Sequence, residues 1–279
     1  MNAVPPLVLV MVLGAALLHA TWNALLRSGV DRLWTITVMC AVAAAACAFG
    51  TAFAPLPAPA AWPYAAFSAL LQIGYCLFLV SAYEKGELGL VYPIARGVAP
   101  LLVAIGAAVF AGEQLAPQAI GGLTLVSGGI VGLSLGKDRL GLAATRDALI
   151  TGVFIAGYMV SDGIGVRLSG HALSYFAWMT LAQGAPMPLV YLAIRKRFPP
   201  LRPDADTLKA AGGGVMGLTA YGIVVWALSL APMAKVSGLR ETSILFAAII
   251  GAVFLKERFA LRRAACALMI SVGTILLAS

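Results

Sequence analysis

Long stretches without a charged side chain constrain this sequence more than any other feature. Residues 2–26, 33–83, 114–136, 168–194, 210–234 and 264–279 contain no Lys, Arg, Asp or Glu. A helix needs about 20 apolar residues to cross a bilayer. A soluble protein could not cover a chain that is 61% apolar and only 11% charged. The sequence therefore predicts an all-α membrane protein, with lipid as the solvent for most of the chain.

The apolar stretches divide into ten predicted transmembrane helices joined by short loops. These spans are residues 5–27, 33–54, 61–83, 89–112, 117–136, 147–168, 171–194, 209–230, 233–255 and 261–278. The run Pro55-Leu56-Pro57-Ala58-Pro59 separates the second span from the third, because proline cannot continue a helix. The first stretch lacks the basic start of a signal peptide and extends to Leu26, so we interpret it as a span.

Basic residues fall mainly on one side of this predicted topology. Of the 19 Lys and Arg residues, 15 lie in the loops after spans 1, 3, 5, 7 and 9. The positive-inside rule places these loops in the cytoplasm and predicts that both termini lie outside it. Orientation signals also explain the net charge of +8, so we expect no nucleic-acid partner.

The two halves of the chain are related by an internal repeat. A shift of 144 residues places Arg96 on Arg240 and Glu113 on Glu257 in one register. The run Ala108-Val109-Phe110 falls on Ala252-Val253-Phe254 in the same register, and spans 1 and 6 match more weakly at a shift of 140. The sequence thus predicts a first five-helix repeat over residues 1–136, a connecting loop over 137–146 and a second repeat over 147–279.

Five spans per repeat is an odd number, so the second copy must enter the membrane with the opposite orientation. Such inverted repeats are typical of secondary transporters, whose substrate site lies near the midplane where the repeats meet. Two halves of opposite orientation can exchange conformations, which gives outward-open and inward-open states of similar energy.

Segments of two equivalent spans carry a resemblance to a known family. They read LHATWNALLR at 18–27 and YMVSDGIGVR at 158–167, and Gly112-Glu113 and Lys256-Glu257 end spans 4 and 9. With the repeat, the chain resembles the EamA-type members of the drug/metabolite transporter superfamily over essentially its whole length. The resemblance implies ten helices, a central cavity formed mainly by spans 1, 3, 4, 6, 8 and 9, and alternating access. Many members are thought to export amino acids or other metabolites.

Ionisable side chains at membrane depth are costly and usually face a cavity. The candidates are His19, Arg96, Asp162, Arg240 and Glu241. Arg96 and Arg240 each lie seven residues into a span, and a guanidinium group suits a carboxylate or phosphate. The alternative is internal neutralisation, with Arg240 paired to Glu241 and Arg96 to Asp162. Asp162 and Glu241 are also candidates for proton coupling, the alternative being a structural pairing with arginine.

Neutral polar and aromatic side chains complete the predicted substrate site. His19, Trp22 and Asn23 share one face of span 1, where they either line the cavity or form hydrogen bonds between helices. Aromatic wall candidates are Tyr75, Tyr92, Tyr158, Tyr221 and Trp226. Gly128, Gly132 and Gly136 allow close helix packing, either within one chain or in a homodimer.

The functional prediction is a secondary transporter in a bacterial inner membrane that exports a small metabolite, an amino acid or another zwitterionic or anionic solute, by alternating access. We expect a small-molecule substrate, the lipid bilayer and protons as partners, and no metal, cofactor or enzymatic activity. The only histidines are His19 and His171, and no nucleophile and base clearly share a helical face. The alternatives are a passive facilitator, an uptake permease and a non-transporting membrane assembly protein.

Overall fold

Helices account for all the regular secondary structure in the described part of the chain. The computed structural model describes residues 4–28, 31–85, 88–134, 142–199, 204–246 and 261–279. The α-helices are α1 (Pro6–Ser28), α2 (Arg32–Thr51), α3 (Trp62–Lys85), α4 (Leu88–Ala111), α5 (Pro117–Ser134), α6 (Leu142–Leu168), α7 (Ala172–Gly184), α8 (Met187–Arg195), α9 (Ala205–Leu228), α10 (Met233–Arg240) and α11 (Leu261–Ala278). A short 3₁₀ helix, Pro59–Ala61, precedes α3.

The helices follow the ten predicted spans in order. Six of the described helices, α1 to α4, α6 and α9, are long and apolar enough to cross a membrane. Helices α5 and α11 are shorter and apolar. Helices α7 and α8 together occupy the seventh predicted span, and α10 occupies the start of the ninth. The prediction of an all-α membrane fold is confirmed.

Local sequence explains where several helices begin and end. Asp31 and Asp204 cap α2 and α9, accepting hydrogen bonds from the backbone N–H groups of Trp34 (3.1 Å) and Thr207 (2.8 Å). Gly112 follows α4 with φ of 65°, and Gly170 lies just beyond α6 with φ of 73°. Glycine suits the left-handed backbone at such helix ends because it has no Cβ atom.

Two predicted spans are interrupted rather than continuous. The seventh breaks between α7 and α8, where Pro186 lacks the N–H donor that a continuous helix would need. The ninth breaks after Arg240, and the N–H groups of Glu241 and Thr242 bond back to Gly238 (3.1 Å) and Leu239 (3.2 Å) in a turn. Helix resumes at Ser243, and the rest of this span, with Glu257, lies outside the described residues.

The predicted loop between the halves is partly helical. Helix α6 begins at Leu142, five residues before the predicted start of span 6. Residues 142–146 therefore extend α6, and residues 137–141 of the predicted loop lie outside the described residues.

Helix packing follows the symmetry expected of two repeats. Helix α3 packs on α6, and the equivalent pair in the other half is α9 on α1. Helix α2 packs on α9, and the equivalent pair is α7 on α3. Three further contacts join equivalent helices directly: α2 with α7, α4 with α10 and α5 with α11. Exchanging the two halves therefore maps each of these contacts onto another or onto itself.

Glycines bring α5 and α11 unusually close. A Cβ atom at Gly129 would lie 2.9 Å from the carbonyl oxygen of Cys266, and one at Gly122 would lie 2.8 Å from that of Gly273. Gly132 lies against the Cys266 sulfur, while Gly136 falls outside the described residues. This face of α5 thus packs within one chain, the first of the two predicted alternatives.

Candidate functional site

A cavity lies among the helices of both halves. It contains about 730 Å³ of empty space, including the space at its opening. Six of the predicted site residues line it: His19, Trp22, Tyr75, Tyr158, Tyr221 and Arg240. Lining residues also come from α2 and α7, which the family resemblance did not imply, and none of the described lining residues comes from α4.

Arg240 is the charged group of the cavity wall. It is the last residue of α10, immediately before the break, and only 3% of its surface is exposed. Its Nη1 and Nη2 atoms lie 3.5 and 3.4 Å from the Tyr158 hydroxyl, and its Cζ atom lies 5.5 Å from the centroid of the Tyr221 ring. None of the described carboxylates forms an ion pair with it, so its contacts are to neutral groups.

Arg96, the repeat counterpart of Arg240, has a different environment. Its Nε atom lies 2.8 Å from Glu241 Oε2, and both side chains are only 1% exposed. Its Nη2 atom lies 3.4 Å from the Ser243 hydroxyl. The alternative of internal neutralisation predicted Asp162 as the partner of Arg96, whereas the ion pair of Arg96 is with Glu241, the acid predicted to lie near Arg240. Neither Arg96 nor Glu241 is among the residues that line the cavity.

Asp162 is buried behind the cavity wall. Its carboxylate accepts hydrogen bonds from the hydroxyls of Tyr175 (2.9 Å) and Tyr221 (2.5 Å), and Gln72 Nε2 lies 3.5 Å away. Tyrosine hydroxyls rather than an arginine are thus its main partners. Tyr221 also contacts the Arg240 guanidinium through its ring, so this tyrosine lies between the acid and the cavity cation.

The polar residues of span 1 bond to one another. Trp22 Nε1 donates to His19 Nδ1 at 3.0 Å, and Asn23 Nδ2 donates to the His19 carbonyl oxygen at 2.9 Å. These contacts lie within α1, not between helices as the predicted alternative had it. His19 and Trp22 line the cavity, whereas Asn23 does not.

Three of the predicted aromatic residues form a continuous wall. The ring centroids of Tyr75 and Tyr158 are 5.7 Å apart, and those of Tyr158 and Tyr221 are 5.6 Å apart. Trp226 packs against the hydrophobic core instead of the cavity. The side chain of Tyr92 lies outside the described part of the chain.

Sequence reasoning missed several uncharged residues that line the cavity. Gln72, Thr180 and Gln183 provide polar groups, and Gln183 Nε2 lies 3.2 Å from the sulfur of Cys40. The signal for the two glutamines was present, since an amide within an otherwise apolar span needs a polar surrounding. Cys40 also lines the cavity, and nothing in its sequence context distinguishes a lining cysteine from one that only packs between helices.

Glu113 connects helices at one end of the bundle. Its Oε1 atom lies 2.7 Å from Arg167 Nη1, and its Oε2 atom accepts from the Met233 backbone N–H at 2.8 Å. Arg167 also donates to the carbonyl oxygens of Leu228 and Ala231, both at 2.9 Å. Glu113 therefore contacts the start of α10, seven residues before Arg240, and has a structural role there.

The described side chains form no group of three or more His, Cys, Asp or Glu residues that could hold a metal ion. The cysteines Cys40, Cys47, Cys76 and Cys266 are all free thiols and buried. The polar groups among the described lining residues are those of arginine, histidine, tryptophan, tyrosine, threonine, cysteine and glutamine side chains.

The fold and this cavity define a polytopic helical membrane protein with a buried polar chamber between its halves. Residues 147–279 match the EamA-like transporter family. This match confirms the predicted resemblance to EamA-type members of the drug/metabolite transporter superfamily. The match indicates a multi-pass membrane protein of the transporter type.

Solved structures show the same fold over the whole chain. One of them, titled only "Crystal structure of protein", aligns with a TM-score of 0.77 at 19% identity. The alignment covers 96% of this chain and 95% of that one. At this identity the likeness concerns the fold alone. No curated protein matches the sequence.

Proposed function

We propose that the protein moves a small zwitterionic or anionic solute across the bilayer by alternating access, and that Arg240 binds the anionic group of that solute. One observation carries the proposal: Arg240 lines the cavity as a buried cation whose described contacts are neutral. A buried charge is strongly destabilising unless something compensates it. A solute carboxylate would supply that compensation, in the bidentate geometry that suits a guanidinium group.

The charge balance of the site favours a zwitterion over a simple anion. Arg96 and Glu241 cancel each other at 2.8 Å, which leaves Arg240 and Asp162 as the remaining pair of charges. When Asp162 is ionised, the charges of these two residues sum to zero although they form no ion pair with each other, because Tyr221 lies between them. A solute without net charge can therefore give Arg240 an ionic partner and leave this sum unchanged. A zwitterion with its carboxylate on Arg240 preserves this neutrality, and the tyrosine wall offers its ammonium group aromatic faces.

The interrupted ninth span supports alternating access about this site. Secondary transporters place their substrate sites at helix breaks near the midplane of inverted repeats. Arg240 ends α10 directly at such a break, and α10 packs on α4, its counterpart in the other half. Export is the direction that the family resemblance favours, and we propose it here.

Asp162 is the better of the two candidates for proton coupling. Glu241 is held in its ion pair with Arg96, so changing its protonation state would leave a buried arginine uncompensated. Asp162 instead accepts hydrogen bonds from tyrosine hydroxyls, and Tyr221 connects it to the Arg240 guanidinium. We propose that Asp162 exchanges a proton during the cycle and that Glu241 is structural.

Flux in sealed proteoliposomes tests the proposal. The solutes are L-alanine, L-serine and L-phenylalanine, each beside the corresponding amine that lacks the carboxylate. We expect flux of an amino acid but not of its amine. Arg240→Gln should lower that flux about tenfold or more, because it removes a charge-assisted hydrogen bond. Lys209→Gln is the control, since Lys209 is 53% exposed near the start of α9.

Each of the other functions gives a different result in the same assay. Flux only down a solute gradient, whatever the pH gradient, would indicate a passive facilitator. Flux of amines or lipophilic cations alone would contradict the role of Arg240. No movement of any solute under any gradient would favour a non-transporting assembly protein.

A further inference from the structure

We infer that His19 is a second substrate-binding residue, a neutral imidazole that donates its Nε2–H to an oxygen atom of the solute held by Arg240, and that Trp22 positions it. This inference rests on the proposed function and names a specificity determinant of the same site.

The hydrogen bond between Trp22 and His19 determines where the imidazole carries its proton. An indole N–H can only donate, and Trp22 Nε1 lies 3.0 Å from His19 Nδ1. Nδ1 must therefore be the acceptor and carry no proton. In a neutral ring the proton is then on Nε2, which becomes the donor. The two rings meet edge to face, with their centroids 5.0 Å apart and their planes at 89°.

The donor that results has no acceptor within the described part of the protein. His19 is 5% exposed, and its Nε2 atom is buried without a hydrogen-bond partner among the described residues. Buried polar groups are almost always satisfied, and leaving one unsatisfied is costly. The side chain belongs to the lining of the same cavity as Arg240. A solute oxygen is the acceptor that this position lacks.

The hydrogen-bond donors of His19 and Arg240 restrict which chemical group of the solute can bind them. Both groups are donors only, because guanidinium has no acceptor and Nδ1 of His19 is engaged by Trp22. Together they suit a group that only accepts, such as a carboxylate, and they exclude an ammonium group from direct contact with either donor. The solute's amino group must therefore face acceptor groups of the cavity lining, such as the amide oxygens of Gln72 and Gln183.

The first experiment measures the tautomer directly, without any solute. The chain has only two histidines, so His171→Asn leaves His19 as the only source of histidine signals. Asparagine is a good N-cap residue and should replace His171 at the start of α7 without loss of structure. Proton–nitrogen correlation spectra of the histidine-labelled protein in nanodiscs should show protonated Nε2 and bare Nδ1. Trp22→Phe should give a mixture of tautomers, and protonated Nδ1 in the unmodified site would overturn the inference.

The second experiment measures the role of the donor in transport, with the amino acid panel in proteoliposomes. His19→Phe should raise KM about tenfold, since it removes a hydrogen bond to a charged acceptor. His19→Gln should restore KM to near the wild-type value, because its amide N–H can take the place of Nε2–H. Trp22→Phe should give an intermediate KM, and His171→Asn should leave it unchanged.

The results separate this inference from the proposed function. If the amino acids are transported, Arg240→Gln abolishes the transport and His19→Phe leaves KM unchanged, the role of His19 is refuted and that of Arg240 stands. If the wild-type protein neither binds nor moves any member of the panel, the proposed function fails and the inference fails with it.

Discussion

Arg96 and Glu241 form a buried ion pair between spans 4 and 9, the equivalent spans of the two halves, with 2.8 Å between Nε and Oε2. The position equivalent to Glu241 in the first half is Gly97, whose missing side chain makes room for Val131 and for the Ser127 carbonyl oxygen. A glutamate at 97 would not fit against α5. The repeat therefore has two equivalent arginines but only one adjacent acid, and the arginine that lines the cavity is the one that forms no ion pair with this acid.

Removing the acid of this pair should destabilise the protein strongly. Glu241→Gln leaves Arg96 buried without a counter-charge, a change that costs about 3–5 kcal/mol in buried ion pairs. Unfolding in detergent would show the loss as a lower Tm. The double variant Arg96→Met/Glu241→Met should recover most of it, because neither charge then remains. A single variant as stable as the wild type would contradict the pairing.

The helical spans and the two arginines could be predicted because both depend on strong local signals. Uncharged stretches of 20 residues define spans, and an arginine at membrane depth is conspicuous in any span. Which acid neutralises which arginine could not be predicted, because Glu241 and Asp162 both lie at plausible depth. The choice depends on the turn after Arg240, which places Glu241 toward Arg96.

The uncharged part of the cavity was beyond prediction for a different reason. A helix in lipid is apolar on its outer face and often apolar on its inner face too, so periodicity does not separate the two. Met39 and Phe49 lie in the same helix and are equally apolar, yet Met39 lines the cavity and Phe49 is exposed on the outer surface. Only the packing of α2 against its neighbours distinguishes them.

Close packing of α5 on α11 predicts that alanine substitution has different effects on stability at two glycines of α5. At Gly129 an added methyl group would lie 2.8 Å from Ile270 Cγ1 and 2.9 Å from the Cys266 oxygen. Gly129→Ala should therefore cost about 1–3 kcal/mol, as overpacking does elsewhere. Gly121 has nothing within 4 Å of such a group, so Gly121→Ala should be neutral or slightly stabilising. Thermal unfolding of both variants checks this, and equal Tm values would argue against the packing.

The contacts of Glu113 predict that it stabilises the start of α10. Glu113→Ala removes the acceptor of the Met233 N–H and the partner of Arg167, which should cost about 1–3 kcal/mol. Glu84→Ala is the matched control, since Glu84 is 51% exposed and lies 3.4 Å from Arg195 in a surface ion pair. Such a pair contributes about 0–1 kcal/mol. The comparison is made by unfolding in the same detergent, and a control that loses as much stability as Glu113→Ala would count against the role of Glu113.

The proposed proton exchange at Asp162 predicts that its substitution affects proton-driven accumulation of the solute but not transport down the solute's own gradient. Asp162→Asn keeps an oxygen that accepts from Tyr175 or Tyr221, but it removes the group that exchanges a proton. The variant should still carry the amino acid down its own gradient, since Arg240 and the cavity wall are intact. It should no longer accumulate the amino acid when only a proton gradient is applied across the proteoliposome membrane. Asp162→Glu is the control, because it retains a carboxyl group in the same position. Proton-driven accumulation at the wild-type level in Asp162→Asn would show that the carboxyl group only organises the tyrosines around it.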